Sequence, residues 1–177
     1  MAKEILFTEF GFFDDVFHLD QINWPKVFHP YMPDGIVPGI GNEMTVFANA
    51  SGMKVFVRDG ECRVRSHRGA LAQGIELEIE PADSSFKRID LVVARVKYEN
   101  APNSTMKVAV ITGQPAANPT APTATKIEGD IWELPLAEVH VDPGVTNVAG
   151  DKVIEYKIMS EVGTGVTLAD MLFLGGY

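Results

Sequence analysis

The sequence predicts an all-β chain, a β-sandwich or partly open barrel, and three observations carry that prediction. Residues 75–80 alternate strictly as Ile75-Glu76-Leu77-Glu78-Ile79-Glu80, the two-residue period of a half-buried strand. Two runs rich in β-branched residues, at 88–98 and 106–112, flank the polar loop Asn100-Ala101-Pro102-Asn103-Ser104 and read as a hairpin. Turn-forming Gly, Pro, Asn and Asp recur between short apolar segments, at the spacing of a sandwich or barrel. No heptad pattern appears, so no coiled-coil stalk is expected.

Residues 1–50 read as an aromatic-rich N-terminal arm. Six of the ten phenylalanines fall in the first 28 residues, Phe7, Phe10, Phe12, Phe13, Phe17 and Phe28, with Trp24 and Tyr31 beside them. The segment keeps no sustained period, and Trp24-Pro25, His29-Pro30 and Met32-Pro33 interrupt it. Aromatic side chains bury large areas, so the arm packs either on its own body or on a neighbouring subunit. Phe10, Phe12, Phe13, Phe17, Trp24 and Phe28 are its candidate assembly contacts.

Residues 51–141 form the predicted body. Met53, Val55 and Val57 alternate with Lys54, Phe56 and Arg58, and Cys62 and Val64 alternate with Arg63 and Arg65. Asp59-Gly60 between them suits a type I′ turn, whose two central residues need positive φ. That hairpin sets Arg58 opposite Glu61, Val57 opposite Cys62 and Val55 opposite Val64, the last two pairs on the buried face. Cys62 is then a small core residue rather than a reactive thiol. Pro81 ends the acidic strand. Leu91-Val92-Val93-Ala94 suggests a strand buried on both faces. Arg88 and Asp90, two residues apart, share a face and are expected to pair structurally. Ile131–Val141 is a further strand in which Pro135 forces an edge position or a bulge.

Residues 142–177 form a C-terminal strand and apolar extension. Residues 153–158 read as a strand. Thr167-Leu168-Ala169-Asp170 has capping-box spacing, and Gly175-Gly176 would stop a short helix. Met171, Leu172, Phe173 and Leu174 cannot all face one core from so short an element, so they are candidate assembly contacts too.

Composition excludes several function classes. The chain has 177 residues, 46% hydrophobic and 22% charged, which suits a globular domain. Net charge is −9, from 15 basic and 24 acidic residues, which argues against a nucleic-acid partner. One cysteine allows no intrachain disulfide. Residues 1–4 lead into Phe-rich, acidic sequence without a signal-peptide pattern, and no apolar run approaches the ~20 residues of a membrane span. His18, His29, His67 and His140 are dispersed, without metal-ligand spacing, and His140 is expected to face outward from its strand. There is no G-x-S-x-G elbow, P-loop or G-x-G-x-x-G. Glu76, Glu78 and Glu80 lie roughly 7 Å apart along one strand face, but such a row is a solvated surface far more often than a hydrolytic pair. No catalytic residue, metal or cofactor is expected.

The ordered set RIDLVV at 88–93, GQPAANPTAP at 113–122 and ELPLAEV at 133–139 resembles a recurring module of bacteriophage and prophage tail and baseplate proteins. Upstream, Asp34-Gly35-Ile36, Gly52-Met53-Lys54-Val55-Phe56-Val57, Asp59-Gly60 and Ala82-Asp83 extend the likeness to about residues 30–141. The D-x-R element that usually closes such modules is missing here. The resemblance implies a non-enzymatic structural subunit of a virion, made in the bacterial host cytoplasm. It would sit in a baseplate, tail tip or fibre connector, contact other tail proteins and form a trimer or hexamer. The alternative is a module that recognises a bacterial surface polysaccharide, for which Tyr98 and Trp132 are the candidate ligand aromatics.

Overall fold

The computed structural model describes residues 24–98 and 104–160. The described chain is all-β, a sandwich of three antiparallel sheets with no closed barrel. Its elements are α1 (Trp24–Phe28, a single helical turn), β1 (Gly35–Ile36), β2 (Val46–Phe47), β3 (Lys54–Val57), β4 (Gly60–Val64), β5 (His67–Leu71), β6 (Ile75–Glu78), β7 (Arg88–Tyr98), β8 (Ser104–Ile111), β9 (Lys126–Ile127), β10 (Ile131–Val141) and β11 (Val153–Glu155). The large sheet runs β11-β10-β7-β8, with β9 also on β10, and the small sheets run β1-β4-β5 and β2-β3-β6. The small sheets cover one face of the large one: β4 packs on β7 and β10, β5 and β6 on β8, β2 on β11.

One apolar core fills the space between the layers. Val55, Val57, Cys62 and Val64 enter it from the small sheets, and Val92, Ala94, Val96, Leu134, Leu136, Ala137, Val139 and Val141 from the large one. Each fully buried valine contributes about 1.5–3 kcal/mol. Ile36, Met44, Val46 and Ala48 join the same core, so the stretch from Gly35 to Ala48 is part of the body. Cys62 is 1% exposed, a packed core residue as expected.

The Asp59-Gly60 hairpin does not form. β3 pairs with β2 and β6, and β4 pairs with β1 and β5, so the two strands belong to different sheets. Gly60 has φ +149 and its α-carbon lies so close to the Met44 amide that a Cβ would sit 2.6 Å from that nitrogen. The Asp59 carbonyl accepts the amides of Asn42 and Met44. Asp-Gly is therefore the corner at which the chain leaves one sheet for the other, and glycine is needed for close approach. The alternation still puts Val55, Val57, Cys62 and Val64 inside, because burial phase does not depend on which strand is the partner. The true two-residue hairpin joins β4 to β5 through Arg65 and Ser66, at φ 48 and 61. Asp34 Oδ1 accepts the Arg65 amide at 2.6 Å and holds this turn without a glycine.

β7 and β8 form the expected hairpin, and Leu91 to Ala94 are all buried. In β10 the ladder slips between Pro135 and Ala137, the expected bulge, although β10 is an interior strand. The Glu133 amide points away from β7 to the Thr125 carbonyl. Pro135, two residues on, turns its nitrogen to the same side, in the gap between β9 and β11, where no hydrogen is needed. Leu136 is the extra residue and shifts the phase, so Leu134 before it, Leu136 itself, and Ala137, Val139 and Val141 after it all reach the core. The last strand stops at Glu155. Lys157 has φ 49, and the chain turns there to lie beside β1. The proposed helix at 167–174 and contact residues Phe10, Phe12, Phe13, Phe17, Met171, Leu172, Phe173 and Leu174 lie outside the described residues.

Arg88 and Asp90 pair as anticipated and reach much further than each other. Arg88 Nε and Nη2 meet the two Asp90 carboxylate oxygens at 2.8 and 3.0 Å, with the residues 4% and 0% exposed. Arg88 Nη1 and Nη2 also donate to the carbonyls of Pro81 and Glu80, at the exit of β6. Asp90 Oδ1 accepts the Gly113 amide at 2.8 Å, just past β8. A side chain at Gly113 would overlap the Ile89 carbonyl, so only glycine lets the amide come so close.

This clamp makes a prediction. Asp90→Ala leaves a buried guanidinium and the Gly113 amide unpaired, and should cost about 3–5 kcal/mol in urea unfolding. A loss below about 1 kcal/mol, the size expected of an exposed pair, would show that the clamp does not hold the layers together.

Candidate functional site

The two aromatics singled out in the body, Trp132 and Tyr98, meet at one end of the sandwich around the Arg65-Ser66 turn. Trp132 Nε1 donates to Asp34 Oδ2 at 2.7 Å, while Asp34 Oδ1 takes the Arg65 amide. The Arg65 guanidinium lies 4.6 Å from the Trp132 ring centre and the Lys126 ammonium 5.7 Å from it. His29, just past α1, meets the ring edge-on at 6.1 Å and sets Nδ1 3.6 Å from Asp34. Glu128 takes Arg65 at 3.5 Å and Lys26 of α1 at 4.0 Å. Tyr98 packs edge-on against His67, whose Nδ1 lies 3.0 Å from the Arg65 carbonyl. Burial pushes the Tyr98 phenol up to about 12, against the pull of Arg65. The half-buried Trp132 thus has its indole N–H bonded and its ring capped by two cations, an arrangement that fastens α1 to the body. Trp24 and Phe28 lie in α1, and Phe28 is half-buried.

The outer face of the large sheet carries a cleft of about 440 Å³. The Pro-rich linker starts at Gly113, forms a bridge from Ala116 to Lys87, and ends where Thr125 donates to Glu133 Oε2. Its middle, Ala117-Asn118-Pro119, forms one cleft wall; Ile89, His140 and Ile154 form the other. Leu91 and Val93 on this face are 2% and 0% exposed. His140 is half-buried and points outward as expected, its Nε2 3.0 Å from Glu138 Oε2. Tyr156 donates to Glu138 Oε1 at 2.5 Å, so Glu138 orients both rings. Lys152 pairs with Asp142 at 2.6 Å on the cleft rim and holds that carboxyl below its usual range. Arg88, Glu138, Asp142 and Lys152 are each taken by a near partner, and among the described residues no nucleophile lies in the cleft beside His140. Among the described residues no group of three or more His, Cys, Asp or Glu could hold a metal ion. Among them, too, no helix is long and apolar enough to cross a membrane.

A third feature escaped the sequence reading. Phe47 and Phe56 pair across β2 and β3 on the solvent face of their sheet, stacked at 5.3 Å with planes 24° apart. The Arg58 guanidinium lies 4.9 Å from the Phe47 ring and the Lys54 ammonium 5.7 Å from the Phe56 ring. Lys54 is taken by Glu76 at 3.0 Å, whereas Arg58 is exposed and has no carboxylate partner among the described residues. The rings, Arg58, Gly74, Ile75 and Glu76 line an open groove of about 350 Å³. The signal was present: Phe56 sits on the polar phase of a strand whose Val55 and Val57 point inward.

Three protons respond to pH in one direction. Burial, then the charges of Asp34 and Glu61, push the Cys62 thiol from 9.0 to about 12. Burial, then the bond to Glu138, push the Tyr156 phenol from 10.0 to about 12, and Tyr98 shifts alike. A raised pKa means that the folded state keeps a proton the unfolded chain releases. This stability is complete below about pH 9 and is lost as pH rises toward about 12. Urea midpoints should therefore fall steadily above about pH 9, and Cys62→Ala should flatten the early part of that fall. At neutral pH a thiol reagent should label Cys62 only in denaturant; rapid labelling of the native protein would contradict its burial.

Comparison of the chain with known protein families, with curated proteins and with solved structures finds no match in any of the three.

Proposed function

We propose that this chain is a non-catalytic structural subunit of a phage or prophage tail, working by assembly with other tail proteins and with copies of itself in the virion. The observation that carries the reading is the joining of the three segments of resemblance into one unit. RIDLVV is β7, whose Arg88 and Asp90 form the clamp. GQPAANPTAP begins at the glycine that the clamp holds and lies along the outer face. ELPLAEV is the bulged centre of β10, paired along its length with β7.

Two further features favour assembly. Tyr31, Ile127, Ile154 and Phe86 are 72%, 52%, 51% and 49% exposed, large apolar side chains left on the surface of the body. The apparent chemistry of each polar cluster is used up internally: Trp132 by Asp34, His140 by Glu138, Glu133 by Arg95 at 2.5 Å. The activity is then mechanical, with a stiff sandwich presenting surfaces to its neighbours.

Light scattering on protein leaving a sizing column, at several concentrations, tests this. A stable trimer or hexamer is expected. A monomer at every concentration, together with retention on a glycan array, would replace the reading with polysaccharide recognition.

A further inference from the structure

The stacked Phe47–Phe56 pair is a sheet face in want of a partner, and its chemistry is specific. It offers two aromatic rings and one guanidinium that has no carboxylate partner among the described residues. A ligand that satisfies both must bring apolar or aromatic side chains and carboxylates in the same short stretch. Residues 5–20 of this chain have that composition. They carry Phe7, Phe10, Phe12, Phe13 and Phe17 with Glu9, Asp14, Asp15 and Asp20, and no lysine or arginine.

We infer that the groove over Phe47, Phe56 and Arg58 is the docking site for residues 5–20 of a second copy of this chain. The inference rests on the assembly reading, which supplies the second copy. Phenylalanine side chains of the segment pack into the groove beside the two rings, against Gly74 and Ile75, and Asp14 or Asp15 pairs with Arg58. Such a pair is charge-assisted and bidentate, stronger than a neutral hydrogen bond. Arg58 already lies over the Phe47 ring, so less side-chain freedom is lost when the carboxylate arrives. A saccharide fits less well, because cations lie over both rings where a sugar would stack.

A charge swap in the full-length chain tests the docking. Arg58 is exposed, and its backbone amide bond to Thr45 does not involve the side chain, so Arg58→Glu should fold normally. Arg58→Glu alone, and Asp14→Arg with Asp15→Arg alone, should each weaken self-association by about tenfold or more in sedimentation experiments. An equimolar mixture of the two variants should recover association, since the acidic groove of the Arg58→Glu chain then meets the basic segment of the other chain. Recovery identifies docking between copies. If the wild type oligomerises and neither variant changes its mass, the assembly reading stands and this docking site is wrong, as it also is if the groove binds saccharide instead. If the wild type is monomeric at every concentration, the assembly of this chain with copies of itself fails. Docking between copies is overturned with it.

Discussion

The structure hangs on the buried ion pair between Arg88 and Asp90. Two charges inside a protein are costly unless every lone pair and proton finds a partner. Here the guanidinium spends its spare hydrogens on the carbonyls of Glu80 and Pro81, and the carboxylate takes the Gly113 amide. Those partners belong to the exit of β6, in a small sheet, and the exit of β8, in the large one. The pair therefore fixes where one layer ends relative to the other. An apolar pair of equal volume could fill the space but could not dictate which backbone amide must arrive there. The charge gives register, a role that packing alone performs poorly.

From that point the linker and the bulge follow. From Gly113 the chain leaves over the outer face, and its prolines favour an extended path as it goes. It is caught again by Glu133, 1% exposed, which takes Arg95 with one oxygen and the Thr125 amide with the other. Leu91 and Val93 are buried although they face away from the main core, so the large sheet is covered on both sides. The bulge at Pro135 lets the central strand change phase beneath this cover without losing either its core contacts or its partners.

Much of the fold was legible in the sequence, and the parts that were not share a cause. Strands β7 and β10 were visible as β-branched runs, the clamp as two opposite charges on one face, the bulge as a proline in a strand. Which strands pair was less visible. Asp59-Gly60 has the chemistry of a hairpin turn, but the glycine serves a close approach to Met44, which only the folded chain displays. The real turn, Arg65-Ser66, has no residue that favours positive φ by itself; a carboxylate from Asp34, 31 residues earlier, stabilises it. For the candidate surfaces the situation is similar. Trp132 looked available until Asp34 and Arg65, distant in sequence, and Lys126 on the facing strand closed on it. Phe56 could have been read as outward-facing, but its partner Phe47 becomes a neighbour only through the β2–β3 pairing.

The closing segment of the described chain has a mechanical meaning. Ile36 donates to Ile158 and accepts from Ser160, so residues 158–160 lie parallel to β1; Ser160 is also tied to Pro33 and Arg63. In a parallel pair, the start of one strand and the end of the other lie at opposite ends. Tension applied through the chain before β1 and the chain after Ser160 would load these bonds in shear, so that they resist together instead of opening one by one. A part pulled from its two flanks would transmit force through this short seam while the sandwich behind it stayed closed.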